Sequence, residues 1–168
     1  MERVVSMDRV SRVRDAFSLV HRPRRLRETT EFRNMVRETH LNPSDFIFPM
    51  FIVPGSGVRK EIPPMPGNYQ ISLDLVASEA KEVLDAGVSA VMLFGIPESK
   101  DEEATGAWDD NGIVQKAIRI LKKEYPNLIV IADTCLCEYM NHGHCGVVDE
   151  NGNIENDFSV ELIARTAV

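Results

Sequence analysis

From residue 45 onward the spacing of apolar positions changes period several times. Asp45-Phe-Ile-Phe-Pro-Met-Phe-Ile-Val53 is apolar almost throughout, the pattern of a strand buried on both faces, with Pro49 as its one irregularity. After the Gly/Pro-rich stretch PGSGVRKEIPPMPGNYQ, which reads as a loop, the spacing becomes helical. Leu73, Val76, Ala77, Ala80, Val83 and Leu84 share one face of a helix predicted over Leu73 to Asp85. Ser72 stands where its N-cap is expected, and Gly87 where it should stop. Ser89-Ala-Val-Met-Leu-Phe94 reads as a second strand. The loop GIPESKDEEATGAWDDNG leads into a second helix, Ile113 to Tyr125, ended by Pro126, and Leu128 to about Leu136 is the third strand. Beyond it, Val147-Val148 and Ile154 flank a tight hairpin centred on Asn151-Gly152, and Asn156 or Asp157 caps a last helix starting at Phe158.

Strand and helix therefore alternate, with strands beginning near 46, 89 and 128, and such a string of βα units requires a parallel sheet with right-handed crossovers. Two architectures satisfy it: an open doubly wound sheet, or a (β/α)8 barrel of typically ~250 residues. Three units cannot close a barrel. Under the barrel reading, residues 41–168 are the first part of one.

With 168 residues and 43% hydrophobic content, the chain is long enough for one domain with a core. It has no apolar run of membrane-spanning length, and its N-terminus carries acids and arginines where a secretory signal needs an apolar stretch, so a cytoplasmic location is expected. The net charge of -7 is unevenly placed. Residues 1–40 hold ten arginines against six acids, and the rest of the chain is acidic. A nucleic-acid arm is the first reading of HRPRRLRETTEFRNMVR, but its interspersed glutamates and the acidic body argue against a polyanion partner. A basic arm, residues 1–40, that docks onto another copy of the chain fits better.

The candidate chemistry sits in DTCLCEYMNHGHCG, residues 133–146, which hold all three cysteines. An odd, clustered set is a poor disulfide framework and more often binds metal or is redox-active. Alternation along a strand puts Cys135 and Cys137 on one side, and Asn141, Gly143 and Gly146 permit the turns that return Cys145 to them. Strand C-terminal ends are where both candidate folds bind ligands. Three thiolates fill three of zinc's four tetrahedral positions and leave one open for chemistry; His142 or His144 could instead close a structural Cys3His site. A redox pair and unligated buried thiols are the remaining alternatives.

The segment DTCLCEYMNHGHCG resembles the zinc-binding cysteine segment of the porphobilinogen synthase (5-aminolevulinate dehydratase) family. RPRRLR, FPMFIVPG with the following IPPMPG, and VMLFGIP resemble the same family in the same order. The resemblance covers residues 21–168, about the first half of a family member, and residues 1–20 carry no motif. It implies a (β/α)8 TIM barrel, an N-terminal arm that embraces a neighbouring subunit, and usually a homo-octamer. It also implies the condensation of two 5-aminolevulinate molecules into porphobilinogen with loss of two waters, on the way to haem. Carried over by motif, Cys135, Cys137 and Cys145 match the zinc thiolates and Asp133 the active-site aspartate, while His142 and His144 match no ligand position. An allosteric Mg2+ would be bound by residues outside this chain.

The family's carbon chemistry uses two Schiff-base lysines, which need neutral amines. None of the six lysines qualifies: Lys81, Lys116, Lys122 and Lys123 fall on helices, Lys60 in a loop beside Glu61, and Lys100 before three acids. Those lysines are expected beyond residue 168. The alternative from another class is a noncatalytic zinc-binding or assembly chain.

Overall fold

The computed structural model describes residues 22–168. The chain divides into two compact units between Leu41 and Asn42; residues 1–21 of the expected arm lie outside the described residues. In the first unit a 3-10 turn, Pro23–Arg27, has proline at its start, and a short helix α1, Thr30–Met35, follows. Thr29 caps α1 by accepting the amide of Phe32 at 3.2 Å, and Leu26, Phe32, Met35 and Val36 are exposed.

The second unit is built on a five-stranded sheet. Its strands are β1 (Ile47–Val53), β2 (Arg59–Glu61), β3 (Tyr69–Ser72), β4 (Ala90–Gly95) and β5 (Ile129–Ala132), in the order β2-β3-β1-β4-β5. β3, β1, β4 and β5 run parallel, as the βα alternation requires, and β2 is antiparallel to β3. The stretch 54–70 is therefore not simply a loop: it supplies β2 and the start of β3, and Lys60 lies on β2. Pairing between β1 and β3 begins only at Phe51, so around Pro49 the strand is bonded on the β4 side alone, where a missing amide donor is tolerated.

Helices α2 (Val76–Asp85) and α4 (Ile113–Glu124) follow the crossovers, and a short α3 (Thr105–Trp108) interrupts the acidic loop between β4 and α4. Val76, Ala80 and Val83 of α2 and Val114, Ala117 and Leu121 of α4 pack in one cluster with Met50, Ile52, Val91 and Leu93. Both helices thus cover the same face of the sheet. The opposite face keeps the stacked rings of Phe51 and Phe94, 5.1 Å apart, and leaves Ile47 50% and Ile129 55% exposed. The expectation of strands buried on both faces fails for this reason. Helices on a single side are the arrangement of a barrel's outer ring rather than of a doubly wound sheet.

Ser72 does not cap α2. It is buried, its Oγ accepts the amide of Val58 at 2.9 Å and donates to Asp74, and a 3-10 turn, Leu73–Leu75, intervenes before the helix. The C-terminal stop is as expected: Gly87 has φ +86°, and the amides of Gly87 and Val88 bond the carbonyls of Leu84 and Val83. The last helix, α5 (Asn156–Thr166), begins two residues before Phe158, and Val148 bridges Ile154 across the predicted turn. Among the described residues, no helix is long and apolar enough to cross a membrane.

Candidate metal centre

The cysteine segment leaves the sheet at Ala132, four residues earlier than the third strand was expected to end. The cause is local. The Asp133 amide still donates to Leu93 O at 3.2 Å, but its Oδ1 accepts the amide of Cys135 at 3.3 Å, and the chain turns instead of continuing the pleat. Leu136 is the pivot: it is fully buried, and its carbonyl accepts the amides of Tyr139 and Met140, both at 3.0 Å. Burial of Leu136 among Ala104, Ala107, Tyr139, Met140 and Leu162 leaves the flanking Cys135 and Cys137 turned out together. Their sulfurs are 3.1 Å apart, brought together by a turn and not by strand alternation.

Cys145 returns to within 3.2 Å of the Cys135 sulfur, and all three Sγ atoms lie within 4.8 Å of one another. Gly143, with φ +75°, supplies the reversal. The histidines are occupied differently: the Nδ1 of His142 accepts the amide of His144 at 3.1 Å, and neither ring joins the cluster of potential ligand atoms. Two neighbours hold the segment. The backbone of Asp101 exchanges bonds with Tyr139 O at 3.1 Å and the amide of Asn141 at 3.0 Å, and Ser159 of α5 accepts the amide of Val147 at 3.0 Å. Gly95 at the end of β4 makes room for Tyr139, since a Cβ there would lie 2.6 Å from the tyrosine oxygen and 2.5 Å from Val114.

Crowded thiols resist ionisation. The bond to Cys135, then burial and the neighbouring negative charge, push the Cys137 thiol up to about 12, and Cys145 is raised mainly by its bond to Cys135. A divalent cation inverts that balance, because a coordinated thiol is deprotonated outright. Three soft donors converging at the C-terminal end of a parallel strand can therefore hold a metal. Glu138, given no role by the sequence reading, is half-buried at the same place. Burial first and the charge of Asp133 second push its carboxyl up to about 7, opposed by Lys100 and by the Gly95 backbone. Its only sequence signal was adjacency to Cys137. Tyr139 is likewise raised by burial.

Two of the lysines are engaged by neighbouring oxygens. Lys81 Nζ lies 2.6 Å from Asp85, a contact that raises its pKa, and Lys122 donates to the carbonyls of Pro126 and Leu128 at 3.2 and 2.7 Å.

Residues 20–168 match the family model described as delta-aminolevulinic acid dehydratase. The chain is 58% identical over 151 residues to the delta-aminolevulinic acid dehydratase of Synechococcus elongatus, covering 88% of this chain and 46% of the relative. It is 54% identical over 147 residues to that of Halalkalibacterium halodurans, covering 88% and 44%. Among solved structures it is similar to the delta-aminolevulinic acid dehydratase (porphobilinogen synthase) of Toxoplasma gondii in complex with the product porphobilinogen. That match has a TM-score of 0.83 and 34% identity, and covers 89% of this chain and 43% of the other. The chain spans about half the length of the curated relatives it matches. Its sheet and helices correspond to part of a TIM-barrel enzyme.

Proposed function

The chain belongs to the delta-aminolevulinic acid dehydratase family, and from that premise we propose that it is the part of a porphobilinogen synthase that carries the metal centre. The whole protein condenses two molecules of 5-aminolevulinate into porphobilinogen, releasing two waters, for haem and related tetrapyrroles. The observation that carries the reading is the convergence of Cys135, Cys137 and Cys145 within 4.8 Å beside Asp133.

Zinc is the metal we assign. Its Zn–S bonds of about 2.3 Å set sulfurs about 3.8 Å apart in a tetrahedral site, a spacing the cluster reaches with small outward shifts of the 3.1 and 3.2 Å pairs. Three thiolates, with the histidines elsewhere, leave a fourth position for a substrate atom. A metal there supplies Lewis acidity to a substrate carbonyl or amine. Asp133 orients the Cys135 backbone and presents its carboxylate beside the centre, and Leu136 fixes the turn that aims both neighbouring thiols. The Schiff-base amines belong to residues not among these six lysines. In the whole protein we read the basic N-terminal arm as an oligomer contact, the assembly as a homo-octamer, and the location as cytoplasmic.

The test is direct. The purified chain, with zinc and 5-aminolevulinate, is expected to bind zinc but to form no porphobilinogen and no borohydride-trapped adduct on lysine. A stoichiometric adduct on Lys60 or Lys100 with product formed would overturn the assignment of the amines. Absence of thiol-dependent zinc would overturn the metal centre.

A further inference from the structure

The three thiols are not held equally. Cys135 and Cys137 flank a buried pivot, and Asp133 fixes the amide of the first. Cys145 is the exposed member, reached through a stretch that includes exposed Asn141, Gly143 and His144. What fixes it lies immediately after it. The Val147 amide donates to Ser159 Oγ at 3.0 Å, the Val147 carbonyl accepts the Glu155 amide at 2.8 Å, and Ser159 Oγ donates to Glu155 O at 2.6 Å. Gly146 is buried against the same hydroxyl: a Cβ on it would meet Ser159 Oγ at 2.6 Å and Ile154 at 2.9 Å.

A serine inside a helix either points to solvent or bonds back to the carbonyl four residues earlier. Ser159, 4% exposed, does the second and uses an acceptor site for the segment that carries Cys145. We propose that Ser159 is the positioning residue for the third thiol, setting whether a metal at the cluster is held by three thiolates or by two. The inference rests on the reading that these cysteines bind metal. Removing the hydroxyl leaves the part-buried Val147 N–H without its partner, a cost that loosens the junction two residues from Cys145. Supporting groups of this kind typically set metal affinity by roughly 10- to 100-fold.

The experiment measures Zn2+ affinity by chelator competition, and thiolate-to-metal absorption after Co2+ loading, in the chain and its variants. Ser159→Ala is expected to lose roughly 10- to 100-fold in affinity and to take on the weaker absorption of a Cys145→Ser reference. Thr166→Ala, which removes a hydroxyl bonded to Leu162 O on the same helix, should change neither. Gly146→Ala, which forces the same junction apart, should behave as Ser159→Ala does and carries the test if that variant does not fold. Unaltered affinity and absorption in Ser159→Ala or Gly146→Ala, or equal losses in Thr166→Ala, would overturn the inference while leaving the metal centre standing. An unaltered chain with no thiolate absorption at all would overturn both.

Discussion

Asp101 touches the cysteine segment only through its backbone, while its side chain organises the loop that makes this contact possible. Its carboxylate accepts the amides of Glu103 and Thr105 at 2.9 and 3.1 Å and the Thr105 hydroxyl, enclosing Ala104, a buried non-glycine residue at φ +51°. Burial works against the charged form, yet the bonds from Thr105 and the Glu103 amide outweigh it and hold the carboxyl below its ordinary value. A depressed folded-state pKa contributes stability that is complete above the unfolded value of about 3.9 and is lost as pH falls through the folded value. Asp101→Asn is therefore expected to lower the melting temperature at neutral pH, with the gap to the unaltered chain closing below about pH 4. A constant gap from pH 3 to 7, measured by circular dichroism, would exclude the carboxylate as its source. At the thiols, changing Cys135, Cys137 and Cys145 together to Ala should abolish a zinc content of about one ion per chain; elemental analysis reads this directly, and unchanged zinc would sink the centre.

Among the elements, β4 decides how closely the cysteine segment approaches the sheet. Gly95 ends that strand where Val114, Ile113 and Tyr139 converge. Gly95→Ala should cost about 1–3 kcal/mol by overpacking, seen as a lowered urea midpoint, and a neutral result would mean that α4 can shift outward. The longer elements were legible in the sequence because their periods were unbroken: β1 by its apolar run, and α2 and α4 by helical spacing. β2 was not, since Arg59-Lys60-Glu61 is polar and exposed and has no alternation to read. β3 offers four residues with only Ile71 as an aliphatic anchor, and its Ser72 was assigned to the following helix. α3 is a single turn inside an acidic loop. The meeting of Cys135 with Cys137 was anticipated, but for a reason the structure replaces: the Asp133 side chain ends the strand, and the burial of Leu136 in a turn does what pleating was expected to do. The support from Ser159 joins positions 12 residues apart through a helix, a relation with no local sequence pattern.

For the whole molecule, charge and coverage matter more than any one contact. The arginine-rich first 40 residues oppose an acidic remainder, so deleting residues 1–38 should lower the oligomeric state of the whole protein and leave its barrel folded. Unaltered sedimentation would rule out the docking role. Among the described residues the sheet also has a bare margin, because β5 bonds only to β4. Ile129 and Asp133 donate their amides to Ser89 and Leu93, so alternation directs those of Val130 and Ala132 outward. Hydrogen–deuterium exchange along β5 should consequently run fast and slow on alternate residues. Whatever strand comes to lie beside this margin will announce itself by slowing Val130 and Ala132 while leaving Ile129 and Asp133 as they were.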